Sequence, residues 1–107
     1  MAALTLTQAQ NGQSLQVQPG DQIVVLLAEN PTTGYCWAVD KLDEQLLTLD
    51  DSAYAPAGTA LGGGGERKIT LTAQNAGNTS VSFKHWREWS GEDSVTDRFG
   101  FSVTILP

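Results

Sequence analysis

Phe99-Gly100-Phe101-Ser102-Val103-Thr104-Ile105 carries a large apolar side chain at every second position, with small or polar residues between. A period of two puts all four apolar groups on one face of an extended chain, whereas a helix would scatter them around its surface. The same alternation runs through Leu4-Thr5-Leu6-Thr7 and through Leu15-Gln16-Val17-Gln18, which ends at the turn signal Pro19-Gly20-Asp21. Ile23 to Ala28 is a continuous apolar run, too short for a helix and rich in β-branched residues, as in a buried strand. Tyr35, Trp37 and Val39 are expected to share one face of the next strand, and Leu46-Leu47-Thr48-Leu49 gives another short one. Within Arg67-Lys68-Ile69-Thr70-Leu71-Thr72 the apolar pair points one way; Val81 and Phe83 follow the turn residues Asn75-Ala76-Gly77-Asn78. No stretch keeps a three-to-four repeat over a helical length. Short strands punctuated by turns predict an all-β fold, an immunoglobulin-like antiparallel β-sandwich.

Composition narrows the function. The 107 residues suffice for a single domain spanning 1–107, without a repeat or linker to divide it. Six Lys and Arg against twelve Asp and Glu leave a net charge of −6, which argues against nucleic-acid and anionic-membrane partners, since both require a basic face. Hydrophobic residues at 40% and charged residues at 17% fill a core and exclude a disordered acidic tail. No apolar run approaches the roughly 20 residues of a membrane helix, so no membrane insertion is expected. Met1–Gln10 lacks the layout of a signal peptide, so the chain reads as cytoplasmic as it stands; a removed leader would imply a periplasmic or secreted protein. The single cysteine excludes an internal disulfide, and with the single histidine it speaks against a zinc site; no metal or cofactor is expected.

Three segments stand apart from ordinary connections. In Asn30-Pro31-Thr32-Thr33-Gly34-Tyr35 the proline fixes φ, the threonines are stiff and hydroxylated, and Gly34 is free to take positive φ before the chain re-enters a strand. Read alone, it is also a well-formed turn. Gly62-Gly63-Gly64-Gly65 follows Ala55 to Leu61, a small-residue stretch without strand pattern, and exposes backbone without side chains. It lacks the Gly-Lys-Ser/Thr ending and the helix of a phosphate loop, which leaves a flexible linker or a backbone contact surface. His85-Trp86-Arg87-Glu88-Trp89-Ser90-Gly91-Glu92-Asp93 sets two tryptophans beside an arginine just before a turn, and Trp with Arg is the pair most enriched at binding hot spots.

A catalytic constellation does not emerge. Cys36 lies between Tyr35 and Trp37 on a predicted strand, where a free cysteine behaves as a small hydrophobe, and His85 is the sole imidazole. The adjacent pairs Asp43/Glu44, Asp50/Asp51 and Glu92/Asp93 face opposite ways on extended chain and read as solvated turns.

Taken in order, Asn30-Pro31-Thr32-Thr33-Gly34-Tyr35, Gly62 to Gly65 and Arg87-Glu88-Trp89-Ser90-Gly91 resemble the three inhibitory loops of the chagasin family of cysteine-protease inhibitors. Strand count, loop order and total length agree with the family over nearly the whole chain. The resemblance implies a sandwich that presents three loops at one end and plugs the active-site cleft of a papain-like cysteine protease reversibly. Thr32 and Thr33 would then approach the protease's catalytic cysteine and histidine, with Asn30, Pro31 and Gly34 shaping the loop. Gly63, Gly64 and Gly65, after Gly62, would run along the non-primed side through backbone hydrogen bonds, and Arg87 and Trp89 would cover the primed side. Glu88 departs from the family pattern, which has proline there. The implied protein is a monomer, is not an enzyme, and has a papain-like protease as its partner. The competing reading is a non-inhibitory immunoglobulin-like module that uses Trp86 and Trp89 as a platform for a protein or carbohydrate. A small hydrolase built on Cys36 and His85 is the third.

Overall fold

The computed structural model describes residues 3–30, 33–56 and 65–107. Among the described residues there are eight strands: β1 (Ala3–Thr7), β2 (Ser14–Val17), β3 (Gln22–Glu29), β4 (Cys36–Lys41), β5 (Leu47–Pro56), β6 (Gly65–Ala73), β7 (Gly77–Trp86) and β8 (Asp97–Ile105). They form two four-stranded sheets in the orders β1-β3-β6-β5 and β2-β8-β7-β4. The alternation read from the sequence is the inner lining of both. Ile23, Val25 and Leu27 of β3, Ile69 and Leu71 of β6, Val81 and Phe83 of β7, and Phe99, Phe101, Val103 and Ile105 of β8 are buried together with Trp37. Each large side chain so buried contributes about 1.5–3 kcal/mol over leaving it in water.

Three details depart from the sequence reading. The sandwich is antiparallel at its centre, but β1 pairs with β3 and β2 with β8 in parallel. The cause is connectivity: β1, β2 and β3 run in alternating directions while the middle one joins the opposite sheet, so the first and third lie side by side pointing the same way. Secondly, β5 continues through Ala53-Tyr54-Ala55-Pro56, paired with Lys68 back to Gly65, so part of the small-residue stretch is strand. Ladder hydrogen bonds to β6 hold it there without an alternating pattern. Thirdly, Val39 is exposed although it shares a face with the buried Trp37. It stands opposite Phe83 on an edge strand, beside a shift of register between Val39 and Lys41, where a single neighbour covers it. An edge of the first sheet, β5, also carries a register shift, between Leu49 and Asp51. Such bulges blunt an edge against pairing with another chain.

Register fixes where the connections emerge. Glu29 pairs with Gly65 and Pro56 with Gly65, so β3, β5 and β6 end or begin at one level. In the other sheet Cys36 pairs with Trp86 and His85 with Asp97, so β4, β7 and β8 do the same. The Trp37 amide donates to Glu29 Oε1 at 2.8 Å and joins the two levels. The connections after β3, β5 and β7 therefore leave from the same end of the sandwich.

Candidate functional site

After β3, Asn30 is tied to the residues that lead into β4. The Thr33 N–H and the Thr33 hydroxyl both donate to the Asn30 carbonyl, at 3.2 and 2.8 Å, and the Tyr35 N–H donates to Thr33 Oγ1 at 3.3 Å. Gly34 takes a φ of +81°, the left-handed conformation that side chains resist. Trp37 secures the base: its indole N–H donates to the Ala28 carbonyl at 2.8 Å, just before the turn begins. Pro31 and Thr32 lie outside the described residues.

The connection after β7 is a 3-10 segment, Glu88–Ser94, broken by Gly91 at a φ of +72°. Ser94 draws it together. Its hydroxyl accepts from the Arg87 N–H at 2.9 Å and lies 2.9 and 2.6 Å from the Arg87 and Gly91 carbonyls, to which it donates. Glu92 ties the segment back onto the outer face of the sheet through Lys84 at 2.5 Å and Arg98 at 3.3 Å, and Arg98 also meets Asp40 at 2.7 Å. The hydrogen bond from Lys84, followed by the charges of Lys84 and Arg98, holds the Glu92 carboxyl below its ordinary 4.5. A depressed carboxylate contributes stability above the unfolded value and loses it as pH falls through the folded one, so this tether is intact in mildly acidic solution.

These two connections touch. The Arg87 guanidinium donates to the Thr33 carbonyl from Nε at 3.3 Å and Nη2 at 3.2 Å, and lies 4.5 Å from the centre of the Tyr35 ring. Trp89 is 74% exposed, yet the far edge of its indole rests on Gly34. A Cβ at Gly34 would sit 2.8 Å from Trp89 Cη2 and 3.0 Å from Cζ2. Gly34→Ala should therefore strain the turn and push the ring away. We expect a destabilisation of about 1–2 kcal/mol from the left-handed backbone, with a clear shift of the Trp89 indole N–H resonance. An unchanged resonance would show that the ring does not rest on this turn.

Behind the contact, the His85 ring lies between Tyr35 (5.4 Å between centres) and Trp37 (5.0 Å), and its Nδ1 is 2.9 Å from Thr96 Oγ1. A pocket of about 580 Å³ opens here, lined by Ala28, Glu29, Asn30, Thr33, Tyr35, Gly65 and His85. Gly65 is buried and begins β6. Gly62, Gly63 and Gly64 lie outside the described residues.

The remaining candidates separate. Trp86 is half-buried on the outer face of its sheet with Lys84 Nζ 3.6 Å from its ring centre, whereas the Trp89 ring rests on Gly34. Cys36 pairs with Trp86 while Trp37 pairs with His85, which sends the Cys36 and His85 side chains to opposite faces of the sheet. Burial first, then the charge of Glu29, pushes the Cys36 thiol up, with Arg67 opposing. A thiol so placed is a poor nucleophile.

Sequence reasoning missed Glu29, Arg67 and Ser94. Glu29 is 3% exposed and forms a fork with Arg67: Arg67 Nε donates to both carboxylate oxygens at 3.0 Å and Nη2 reaches Oε2 at 2.9 Å. Its signal was parity, since Ile23, Val25, Leu27 and Glu29 occupy successive inward positions of one strand.

The model of the family described as "Chagasin family peptidase inhibitor I42" matches residues 16–105. Chagasin from Trypanosoma cruzi is 30% identical over 99 residues, covering 88% of this chain and 90% of that protein. Amoebiasin-1 from Entamoeba histolytica is 29% identical over 87 residues, 81% of this chain and 85% of that one. In structure the chain is similar to the cysteine protease inhibitor EhICP2 from Entamoeba histolytica, with a TM-score of 0.90 over 98% of this chain and 96% of the other, at 24% identity.

Proposed function

The chain belongs to the chagasin family of peptidase inhibitors, and on that premise we propose that it reversibly inhibits papain-like cysteine proteases by filling the active-site cleft with segments 30–35, 62–65 and 87–91. The observation that carries the reading is the junction of the first and third segments. Arg87 on the Thr33 carbonyl and Trp89 on Gly34 make one rigid wedge from two loops. A wedge ordered in advance enters a concave groove without the entropy cost of fixing loops on arrival. Complexes of this kind bury roughly 1,600 Å² in total and reach high affinity when pre-organised.

Roles follow within the proposal. Thr32 and Thr33 face the catalytic pair of the protease, with Asn30, Pro31 and Gly34 setting the turn. Gly62 to Gly65 offer backbone to the non-primed side, where a substrate strand would pair. Trp89 covers the primed side as an amphipathic ring. The Arg87 guanidinium is already engaged by Thr33 and Tyr35, so we assign it to bracing the wedge. Nothing is threaded as a scissile bond, so the inhibitor should be released uncleaved. A platform module using both loop tryptophans is not favoured, because Trp86 lies under Lys84 on the sheet and Trp89 stands on the turn.

Titration of papain is the direct test, with trypsin as control. Competitive inhibition of papain with trypsin untouched is expected; no inhibition at micromolar excess of folded protein overturns the reading, and equal potency on both enzymes removes its class selectivity. Glu88→Pro examines the departure from the family pattern. Glu88 is the first residue of its turn, where the N–H has no acceptor within the turn and proline's φ is tolerated. The variant should gain about 0.4–1 kcal/mol in stability and bind papain slightly tighter, mainly through slower dissociation. Raised salt separates rigidity from charge, since only the charge effect shrinks with screening. Binding more than tenfold weaker would mean that Glu88 makes a contact of its own.

A further inference from the structure

At the base of the wedge the buried Glu29 carboxylate is paired with the partly exposed Arg67 guanidinium. Glu29 occupies the last inward position of β3, immediately before Asn30. Its carboxylate accepts the Trp37 N–H at 2.8 Å, on the strand that receives the chain after the first turn. The Arg67 fork reaches it from β6, two residues past Gly65, and Arg67 Nη1 donates on to Ser52 Oγ at 3.1 Å in β5. One carboxylate and one guanidinium thus join β3, β4, β5 and β6, the four strands from which segments 30–35 and 57–64 spring.

Replacing an ion pair that is largely out of water by apolar residues of similar volume is often neutral for stability. What the pair adds is direction. A bidentate fork fixes both distance and angle, whereas apolar side chains slide over one another. We propose that Glu29 and Arg67 are positioning residues for inhibition: they fix the end of β3 at Asn30 against the start of β6 at Gly65, the two points at which inhibitory segments join the sandwich. This rests on the inhibitor reading above.

The test begins with the wild-type chain on papain, whose failure to inhibit would count against that reading alone. Glu29→Gln/Arg67→Met then removes both charges and keeps an acceptor for the Trp37 amide. Its thermal midpoint should stay within a few degrees of wild type, while inhibition of papain weakens at least tenfold. Amide exchange should rise at Thr33, Tyr35 and Gly65 and stay unchanged at Gly20, which donates to the Ala73 carbonyl, and at Ala73, which donates to the Asp21 carbonyl, at the far end of the sandwich. Wild-type inhibition in this variant, or exchange rising equally at both ends, overturns the proposal. Should the double variant fail to fold, Arg67→Lys decides. It keeps the charge and loses the fork, so a folded protein with inhibition at least threefold weaker supports positioning, and unchanged inhibition refutes it.

Discussion

Trp89→Ala should weaken inhibition of papain by about 2–4 kcal/mol, roughly 30- to 900-fold, and leave the thermal midpoint almost where it was. The two halves of that expectation have separate grounds. The ring is 74% exposed and touches its own protein mainly through the edge that rests on Gly34, so its loss uncovers little core. In a complex the same ring would be desolvated on both sides, the situation in which tryptophan truncation costs most. Inhibition assays paired with calorimetry check both. A collapse of stability without a separate loss of affinity would return Trp89 to the core.

Trp37→Ala should behave in the opposite sense. Trp37 is 5% exposed, packs against His85, donates its indole N–H to Ala28 and its amide N–H to Glu29. Removing a buried aromatic of this size costs about 3–5 kcal/mol, against a total of about 5–15 kcal/mol for a typical domain. Denaturant melts should show most of the stability gone, with inhibition falling only as the folded fraction falls. Trp37→Phe keeps much of the volume and loses the bond to Ala28, so it should lie between the two. Undiminished stability in Trp37→Ala would show that the two sheets do not depend on this ring for their closure.

How far the sequence reaches depends on the range of the interaction that decides each feature. Alternation and short apolar runs are local signals, and together they located the strands, from Leu4 and Leu6, through the run Ile23 to Ala28, to Phe99 and Ile105. The exposure of Val39 could not be read this way, because it follows from β4 being an edge, a property of sheet order. The parallel pairing of β1 and β2 with later strands is likewise a matter of which sheet each joins. Ala53 to Pro56 had no alternation to betray them and are held by β6 alone. Among site residues, Gly34 and Trp89 were legible as types but their contact was not, since it spans 55 positions of chain. Arg87 was legible as a hot-spot residue, while its bond to Thr33 was not. Glu29 and Arg67 are 38 positions apart and meet only once β3 and β6 have paired.

The parallel pairing of β2 with β8 also bears on how the molecule comes into being. Ser14–Val17 must wait for its partner Ser102–Ile105, which lies far later in the chain. At a synthesis rate of about 5–20 residues per second, the early strand spends roughly 4–18 s with its partner not yet made. The segment bearing Arg87 and Trp89 is held between β7 and the same late strand, with Thr96 bonded back to His85. A nascent chain therefore carries no finished wedge until β8 has been made. Any fragment cut short before Asp97 should be silent toward a protease, however well its earlier strands have folded.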